Sequence, residues 1–322
     1  MLIRTCLVAG GAGFIGSALC AELLHKGYRV LCVDNFASGS RQSIAPLLDN
    51  EHFSLIEQDI QQELDVAGVD FIFNLACPAS PVHYRENPVG TLCTSVLGNR
   101  QLLELAKRND APLLFTSTSE VYGDPEVHPQ PESYWGNVNP IGPRSCYDEG
   151  KRAAEALCVS YREQYGMDVR IVRLFNVYGP GMAFDDGRVI SNFMVQSLRG
   201  EKLTVYGDGL QTRSLCFLSD IVGALILSME CATFPDSPVN LGNPDEHSIL
   251  ELAHLVLEVT ASNSPIEFFS ESPGDPRRRK PVIDLAASAL GWHPTVGIAE
   301  GLEKTAEYYR SALSKGCGRF HE

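Results

Sequence analysis

Residues 6–34 constrain the fold of this 322-residue chain more than any other stretch. The apolar run Cys6-Leu-Val-Ala9 reads as a buried strand and leads into Gly10-Gly-Ala-Gly13-Phe-Ile-Gly16. A helical pattern follows through Leu19, Leu23 and Leu24, and a second strand, Tyr28-Arg-Val-Leu-Cys-Val33, ends in Asp34. The acid stands 18 residues beyond the last glycine. Glycines let a backbone approach a pyrophosphate, a helix N-terminus supplies N–H donors and positive potential, and the acid can hold a ribose 2′-hydroxyl. The spacing is Gly-x-x-Gly-x-x-Gly, not the Gly-x-Gly-x-x-Gly of the common dehydrogenase fingerprint. The stretch therefore reads as a dinucleotide site, and because Asp34 would repel a 2′-phosphate, NAD is favoured over NADP.

The pattern continues downstream. Phe53–Ile56, Asp70–Ala76, Pro112–Thr116 and Val169–Leu174 read as strands, and Thr91–Lys107 and Tyr147–Tyr165 as crossover helices. Near-continuous apolar strands separated by helices imply an α/β fold, a doubly wound parallel sheet of the Rossmann type. Ligands of such sheets bind at the carboxyl ends of the strands. From about Tyr178 the chain turns richer in Gly, Pro and Asn, which predicts a smaller, partly interleaved C-terminal substrate lobe. The expected division is residues 1–176 with about 212–244 for the NAD-binding domain. About 177–211 with 245–313 would form the substrate lobe, and 314–322 a fraying tail.

In Ser145-Cys-Tyr-Asp-Glu-Gly-Lys151, Tyr147 and Lys151 lie one helical turn apart on one face. Ser145 with Asp148 reads as a capping box. A free tyrosine titrates near pH 10 and is a poor base at neutrality, but a nearby ammonium favours the phenolate. Tyr147 is thus a candidate for proton exchange with a sugar hydroxyl, with Lys151 lowering its pKa.

The composition narrows the partners. A formal net charge of −14 argues against nucleic acid or an anionic membrane. The ten cysteines include no Cys-x-x-Cys pair, and none of the eight histidines sits in a His-Glu-x-x-His spacing, so no metal is expected. With no signal peptide and no apolar span of membrane length, a cytoplasmic enzyme with reduced thiols is expected.

Taken together these residues resemble the extended short-chain dehydrogenase/reductase family and, within it, its UDP-glucuronate decarboxylase branch. The matching blocks are Leu75-Ala-Cys-Pro-Ala-Ser-Pro81 with His83-Tyr84, Ser117-Thr-Ser-Glu-Val-Tyr-Gly-Asp124, and Val138-Asn-Pro-Ile-Gly-Pro143 running into Cys146–Lys151. Further blocks are Asn176 with Tyr178-Gly-Pro180, Asp186-Gly-Arg-Val189, Thr204-Val-Tyr-Gly207, Val239-Asn-Leu-Gly-Asn-Pro244 and Asp275-Pro-Arg277. The resemblance implies NAD-dependent conversion of UDP-glucuronate to UDP-xylose through a 4-keto sugar. It casts Tyr147 as the base, Lys151 as its support, and Thr118 and Ser119 as hydrogen-bonding partners of the C4 oxygen. Glu120 would order the sugar or water, and Arg277 would meet the substrate carboxylate, leaving Arg278 to Lys280 mostly structural.

By the same resemblance the cofactor would be held by Gly10, Gly13, Phe14, Ile15, Gly16, Asp34, Asn35, Phe36, Ser38, Gly39, Asp59, Ile60, Leu75, Ala76 and Thr94, with Tyr147 and Lys151. The UDP-sugar would meet Asn176, Arg188, Val189, Asn192, Tyr206, Gln211 and Arg213, with Tyr84, Glu120 and Arg277 at the sugar. The branch's usual Asn in the helix near residue 95 is Ser95 here, flanked by Asn99 and Arg100 where Thr and Leu are usual. Ser38 can replace a threonine hydroxyl usual in the turn after Asp34. Nucleotide-sugar 4,6-dehydratases carry Asp-Glu where Ser119-Glu120 stands, and a serine hydroxyl is a poor general acid. A 4-epimerase has no obvious use for Arg277, and a non-catalytic NAD-binding sensor would not need Tyr147, Lys151 and Glu120. A homodimer through the helices at Thr91–Lys107 and Tyr147–Tyr165 is expected by resemblance.

Overall fold

A computed structural model describes residues 3–270 and 278–315. Its strands are β1 (Thr5–Ala9), β2 (Arg29–Asp34), β3 (Phe53–Glu57), β4 (Phe71–Asn74), β5 (Leu113–Thr118), β6 (Val169–Leu174) and β7 (Val177–Tyr178). The remainder are β8 (Leu203–Tyr206), β9 (Thr212–Ser214), β10 (Cys216–Phe217), β11 (Val239–Leu241), β12 (Glu246–Ser248) and β13 (Ile266–Phe269). The helices begin with α1 (Phe14–His25), α2 (Arg41–Ile44), α3 (Pro81–Glu86), α4 (Pro88–Cys93), α5 (Asn99–Asn109) and α6 (Ser145–Tyr165). They end with α7 (Val189–Arg199), α8 (Leu218–Glu230), α9 (Ile249–Thr260), α10 (Asp284–Leu290) and α11 (Ile298–Ser314).

Seven strands form one parallel sheet in the order β11-β6-β5-β4-β1-β2-β3. This is the doubly wound fold read from the sequence. The period of two along each strand sorts side chains to two apolar layers. Cys6 and Val8 pack with α1, α8 and α10 on one face, whereas Leu7 and Ala9 pack with α5 and α6 on the other. Each fully buried aliphatic side chain contributes about 2 kcal/mol, so both faces must be covered. Strand order reverses between β1 and β4, and the crevice outside their carboxyl ends is where a nucleotide binds in this topology.

The helix expected over 91–107 starts earlier, at Pro88, because Asn87 caps it by accepting from the Gly90 amide at 2.9 Å. A π-helical turn over Thr94–Gly98 joins α4 to α5. Strand β5 runs two residues further than Thr116, which carries Thr118 to the sheet edge. The capping box expected at Ser145 does not form: Ser145 is itself helical, Arg144 precedes it without a side-chain cap, and Asp148 is buried. A true capping box is found at Ser248 and Glu251.

A separate apolar cluster joins α7, α9 and α11 through Phe193, Met194, Leu252, Val256, Leu302 and Tyr309. The short pairings β8·β13, β9·β12 and β7·β10 flank it, while β11 returns the chain to the main sheet. Helix α11 continues to Ser314, and the rest of the expected tail, 316–322, lies outside the described residues.

Candidate active site

At the carboxyl edge of the sheet a cavity of about 1490 Å³ runs from the glycine turn to the α7 side of the molecule. Its nucleotide end follows from backbone sterics. Gly10 has φ +77°, and a Cβ there would stand 2.8 Å from the Ala76 amide nitrogen. A Cβ on Gly16 would lie 2.0 Å from the Gly10 carbonyl oxygen. Only glycine leaves this cradle open to a pyrophosphate. Asp34 is buried, and its carboxylate accepts from the Ala12 amide at 2.9 Å and the Phe36 amide at 2.8 Å. Burial raises its pKa while those amides oppose the shift. The carboxylate is thereby fixed at the end of β2, where it suits a ribose hydroxyl and excludes a 2′-phosphate. The residues fit NAD.

Gly13, Phe14, Ile15, Asn35, Ser38, Gly39, Asp59, Ile60, Leu75, Ala76 and Thr94 all line this end. Asn35 donates to Asp59 at 3.0 Å, joining the loops after β2 and β3. Phe36 does not line the cavity; its amide holds Asp34, and its ring lies under the Arg41 guanidinium at 4.4 Å. Ser95 is buried with its hydroxyl 3.2 Å from the Cys77 sulfur, and Asn99 accepts from Asn74 at 2.9 Å, tying α5 to β4.

Helix α6 presents Tyr147 and Lys151, and the end of β5 presents Thr118, Ser119 and Glu120, all lining one part of the cavity. The Lys151 ammonium donates to the Thr116 carbonyl at 2.8 Å and lies 4.7 Å from the centre of the Phe115 ring. Burial lowers its pKa. Burial also pushes the Tyr147 phenol well above its usual value, and a hydrogen bond with Thr118 opposes this only in part. The expectation that Lys151 lowers the Tyr147 pKa is thus corrected for the protein alone. Desolvation dominates, and the ammonium is committed to a backbone carbonyl.

Glu120 is the electrostatic hub. Burial would raise its pKa, but Arg279, Arg144 and Arg213 outweigh it and keep the carboxylate ionised. Arg279 pairs with Glu120 at 2.9 Å and donates to the Ser119 hydroxyl at 3.1 Å and to the Gly123 carbonyl at 2.9 Å. It is 2 % exposed and lines the cavity. Arg144 forms a second ion pair with Glu120. The position singled out by sequence, Arg277, lies outside the described residues. The expectation that Arg278 to Lys280 are mostly structural is corrected at Arg279. Alternation in an extended segment was the available signal, since it sends alternate side chains to opposite sides. Arg278 is indeed exposed where Arg279 is buried. Arg144, just before α6, carried no sequence signal of its role.

Asn176, Arg188, Val189, Asn192, Tyr206, Gln211 and Arg213 line the other end. Asp186 holds the Arg188 guanidinium through two bonds, at 2.5 and 2.7 Å, beneath which Phe14 lies 5.9 Å away. Gln211 donates to the Tyr206 carbonyl at 2.7 Å, and Phe269 stands 6.0 Å from the Tyr206 ring. Tyr84 is the exception: it does not line the cavity and is buried against Tyr147.

Comparison with known proteins agrees with this geometry. The model of the "NAD dependent epimerase/dehydratase family" matches residues 6–242. UDP-glucuronic acid decarboxylase 1 of Xenopus tropicalis is 52% identical over 307 residues, spanning 95% of this chain and 72% of that one. UDP-glucuronic acid decarboxylase 3 of Arabidopsis thaliana is 50% identical over 309 residues, 96% of this chain and 90% of that one. Among solved structures, a Bacillus cereus UDP-glucuronic acid 4-epimerase in complex with UDP-glucuronic acid and NAD superposes with a TM-score of 0.86. It is 27% identical, with 96% of this chain and 99% of that one covered. The glycine cradle, the Tyr147–Lys151 pair and these matches converge: the chain belongs to the NAD-dependent epimerase/dehydratase family, in its UDP-glucuronic acid decarboxylase branch.

Proposed function

We propose that this enzyme decarboxylates UDP-glucuronate to UDP-xylose. The observation that carries the reading is Arg279, brought from the C-terminal part of the chain to Ser119 and Glu120 beside Tyr147. A planar guanidinium at the sugar end suits a carboxylate-bearing substrate. Its Nη1 serves Ser119 and Glu120 and its Nη2 serves the Gly123 carbonyl, and each Nη carries two N–H groups, so Nη2 has a second N–H to give. Identity of about half over nearly the whole chain with decarboxylases supports the same substrate.

Bound NAD supplies an acceptor for the hydride from C4 and returns it at the end, leaving no net redox change. Tyr147 removes the proton of the C4 hydroxyl as its phenolate, a form that the protein alone disfavours and that the positive charge of the nicotinamide, once bound, would favour together with Lys151. Thr118 and Ser119 hydrogen-bond the C4 oxygen as it becomes a carbonyl. Lys151 fixes the floor of the site through Thr116 and places a positive charge beneath it. The C4 ketone lies β to the C5 carboxylate, so carbon dioxide leaves with its bonding electrons flowing into an enolate. Arg279 orients that carboxylate, and Glu120, held ionised, fixes Arg279 and Arg144. The enolate takes a proton at C5 from water, and as the hydride returns to C4, Tyr147 gives its proton back to the C4 oxygen, which completes the pentose.

The remaining expectations are part of this proposal. The nucleotide portion meets Asn176, Arg188, Val189, Asn192, Tyr206, Gln211 and Arg213. Residues 1–176 with 212–244 carry the cofactor, and 177–211 with 245–313 the sugar nucleotide. The enzyme works in the cytoplasm as a homodimer. Exposed Leu92 and Leu97, with exposed Ala153 and Ala156 of α6, support pairing of these helices with a second copy. Among the described residues no helix is long and apolar enough to cross a membrane.

The test is incubation with UDP-glucuronate and NAD, following carbon dioxide and the sugar nucleotide by NMR. Stoichiometric carbon dioxide with UDP-xylose and no net NADH is expected. UDP-galacturonate without carbon dioxide would instead assign a 4-epimerase.

A further inference from the structure

Arg279 belongs to no helix and to no strand of a sheet. Residues 278–283 are irregular apart from an isolated bridge between Gln130 and Pro281. A buried guanidinium on an irregular segment needs its backbone held elsewhere, because a long side chain carries any backbone shift to its tip. One hold is the Ser214 amide, which donates to the Arg279 carbonyl at 3.1 Å. The others converge on one residue.

Gln130 is 0 % exposed. Its amide donates to the Lys280 carbonyl at 2.8 Å, and its side-chain Oε1 accepts from the Lys280 amide at 2.9 Å. Its own carbonyl accepts from the Val282 amide at 2.9 Å and from Asn240 Nδ2 at 3.1 Å. Its Nε2 donates to the Val127 carbonyl at 2.7 Å. Every polar group of Gln130 is therefore bonded, and three of these bonds clamp Lys280 and Val282, one and three residues after Arg279.

We propose that Gln130 is the positioning residue for carboxylate recognition: its side-chain carbonyl locks the Lys280 amide and so registers Arg279 against Ser119 and Glu120. The proposal rests on the reading that Arg279 meets the substrate carboxylate. Gln130 touches no substrate itself, so its loss should not weaken a sugar nucleotide that lacks the carboxylate. It is a selectivity device, and selectivity is what separates it from a merely structural residue.

The test is titration calorimetry of NAD-loaded protein in a Tyr147→Phe background, where ligand is not consumed, with UDP-glucuronate and UDP-glucose as probes. Gln130→Met keeps the length of the side chain and removes the acceptor. It should weaken UDP-glucuronate about tenfold and leave UDP-glucose within about twofold. Equal loss for both ligands, or loss for neither, overturns the proposal. Should Gln130→Met fail to fold or to hold NAD, Gln130→Glu, titrated at about pH 6 where burial keeps its carboxyl protonated, retains an acceptor for the Lys280 amide and an O–H donor for the Val127 carbonyl, and decides the matter. The ratio of affinities should then stay within about threefold of the parent, and a tenfold fall would refute the clamp. Arg279→Gln is run alongside: if it leaves the ratio unchanged, the reading of Arg279 fails, independently of Gln130.

Discussion

The ring of Tyr84 lies flat against that of Tyr147, with centroids 5.4 Å apart and planes 8° from parallel. Tyr84 is 1 % exposed, its hydroxyl has no hydrogen-bond partner, and burial pushes its pKa up to about 12. It therefore forms a neutral wall against the Tyr147 ring, whose hydroxyl bonds with Thr118. Removing the hydroxyl in Tyr84→Phe should leave kcat within about twofold. Removing the ring in Tyr84→Leu should lower kcat about tenfold, the cost of one aromatic stack. Steady-state kinetics distinguishes them, and equal losses in both would mean that the hydroxyl, not the ring, matters.

Tyr147→Phe keeps the stack and the apolar volume but cannot carry a proton. Turnover should fall about 10²- to 10⁴-fold while bound NAD is retained. Absorbance of the released cofactor after acid denaturation checks retention. Unchanged turnover would assign the base elsewhere.

Asp148 makes stability depend on pH. Burial and the Glu120 charge push its carboxyl up to about 7, against the opposing pull of Arg144 and Arg279. Between about pH 4 and pH 7 the folded protein holds a proton that the unfolded chain has released, so stability falls as pH rises through this window. Asp148→Asn removes that penalty. Its Tm at pH 8 should exceed that of the parent by several degrees, on the order of 2 kcal/mol, and the gain should shrink toward pH 5. Calorimetric scans across pH test this; a lower Tm at pH 8 would contradict it.

Gly16→Ala places a methyl 2.0 Å from the Gly10 carbonyl oxygen in the ideal geometry. The turn must open, so NAD affinity should drop by at least tenfold with a stability loss of about 2 kcal/mol. Equilibrium binding of NAD reads the first effect, and wild-type affinity would show that the turn is more tolerant than its sterics imply.

Leu97 is 48 % exposed on the segment joining α4 to α5. Leu97→Glu should shift a dimer to monomer in light scattering without altering the fold by circular dichroism, since a charge desolvated at an interface is costly. A dimer that persists would place the interface on another surface.

Much of the site was legible because it is local. The glycine cradle, Asp34 and the Tyr147–Lys151 pair each depend on residues within one strand, turn or helix, where spacing alone sets which side chains share a face. The Ser145 capping box failed because its acid was taken by a buried position, something a spacing cannot register. Phe36 was expected at the cofactor by resemblance, but its φ is 57° and its ring lies under the Arg41 guanidinium, outside the cavity lining.

The sequence by itself determined the parallel sheet, the glycine turn with Asp34 and the Tyr147–Lys151 pair, because periods of 2 and 3.6 are properties of neighbouring residues. Only the tertiary structure decided that Arg279 reaches Glu120, that Tyr84 backs Tyr147 instead of lining the cavity, and that desolvation governs the phenol. Those outcomes join residues up to 160 positions apart, as Arg279 and Ser119 are. Contacts of that separation follow from how whole layers pack, and the dielectric around a group exists only once they have.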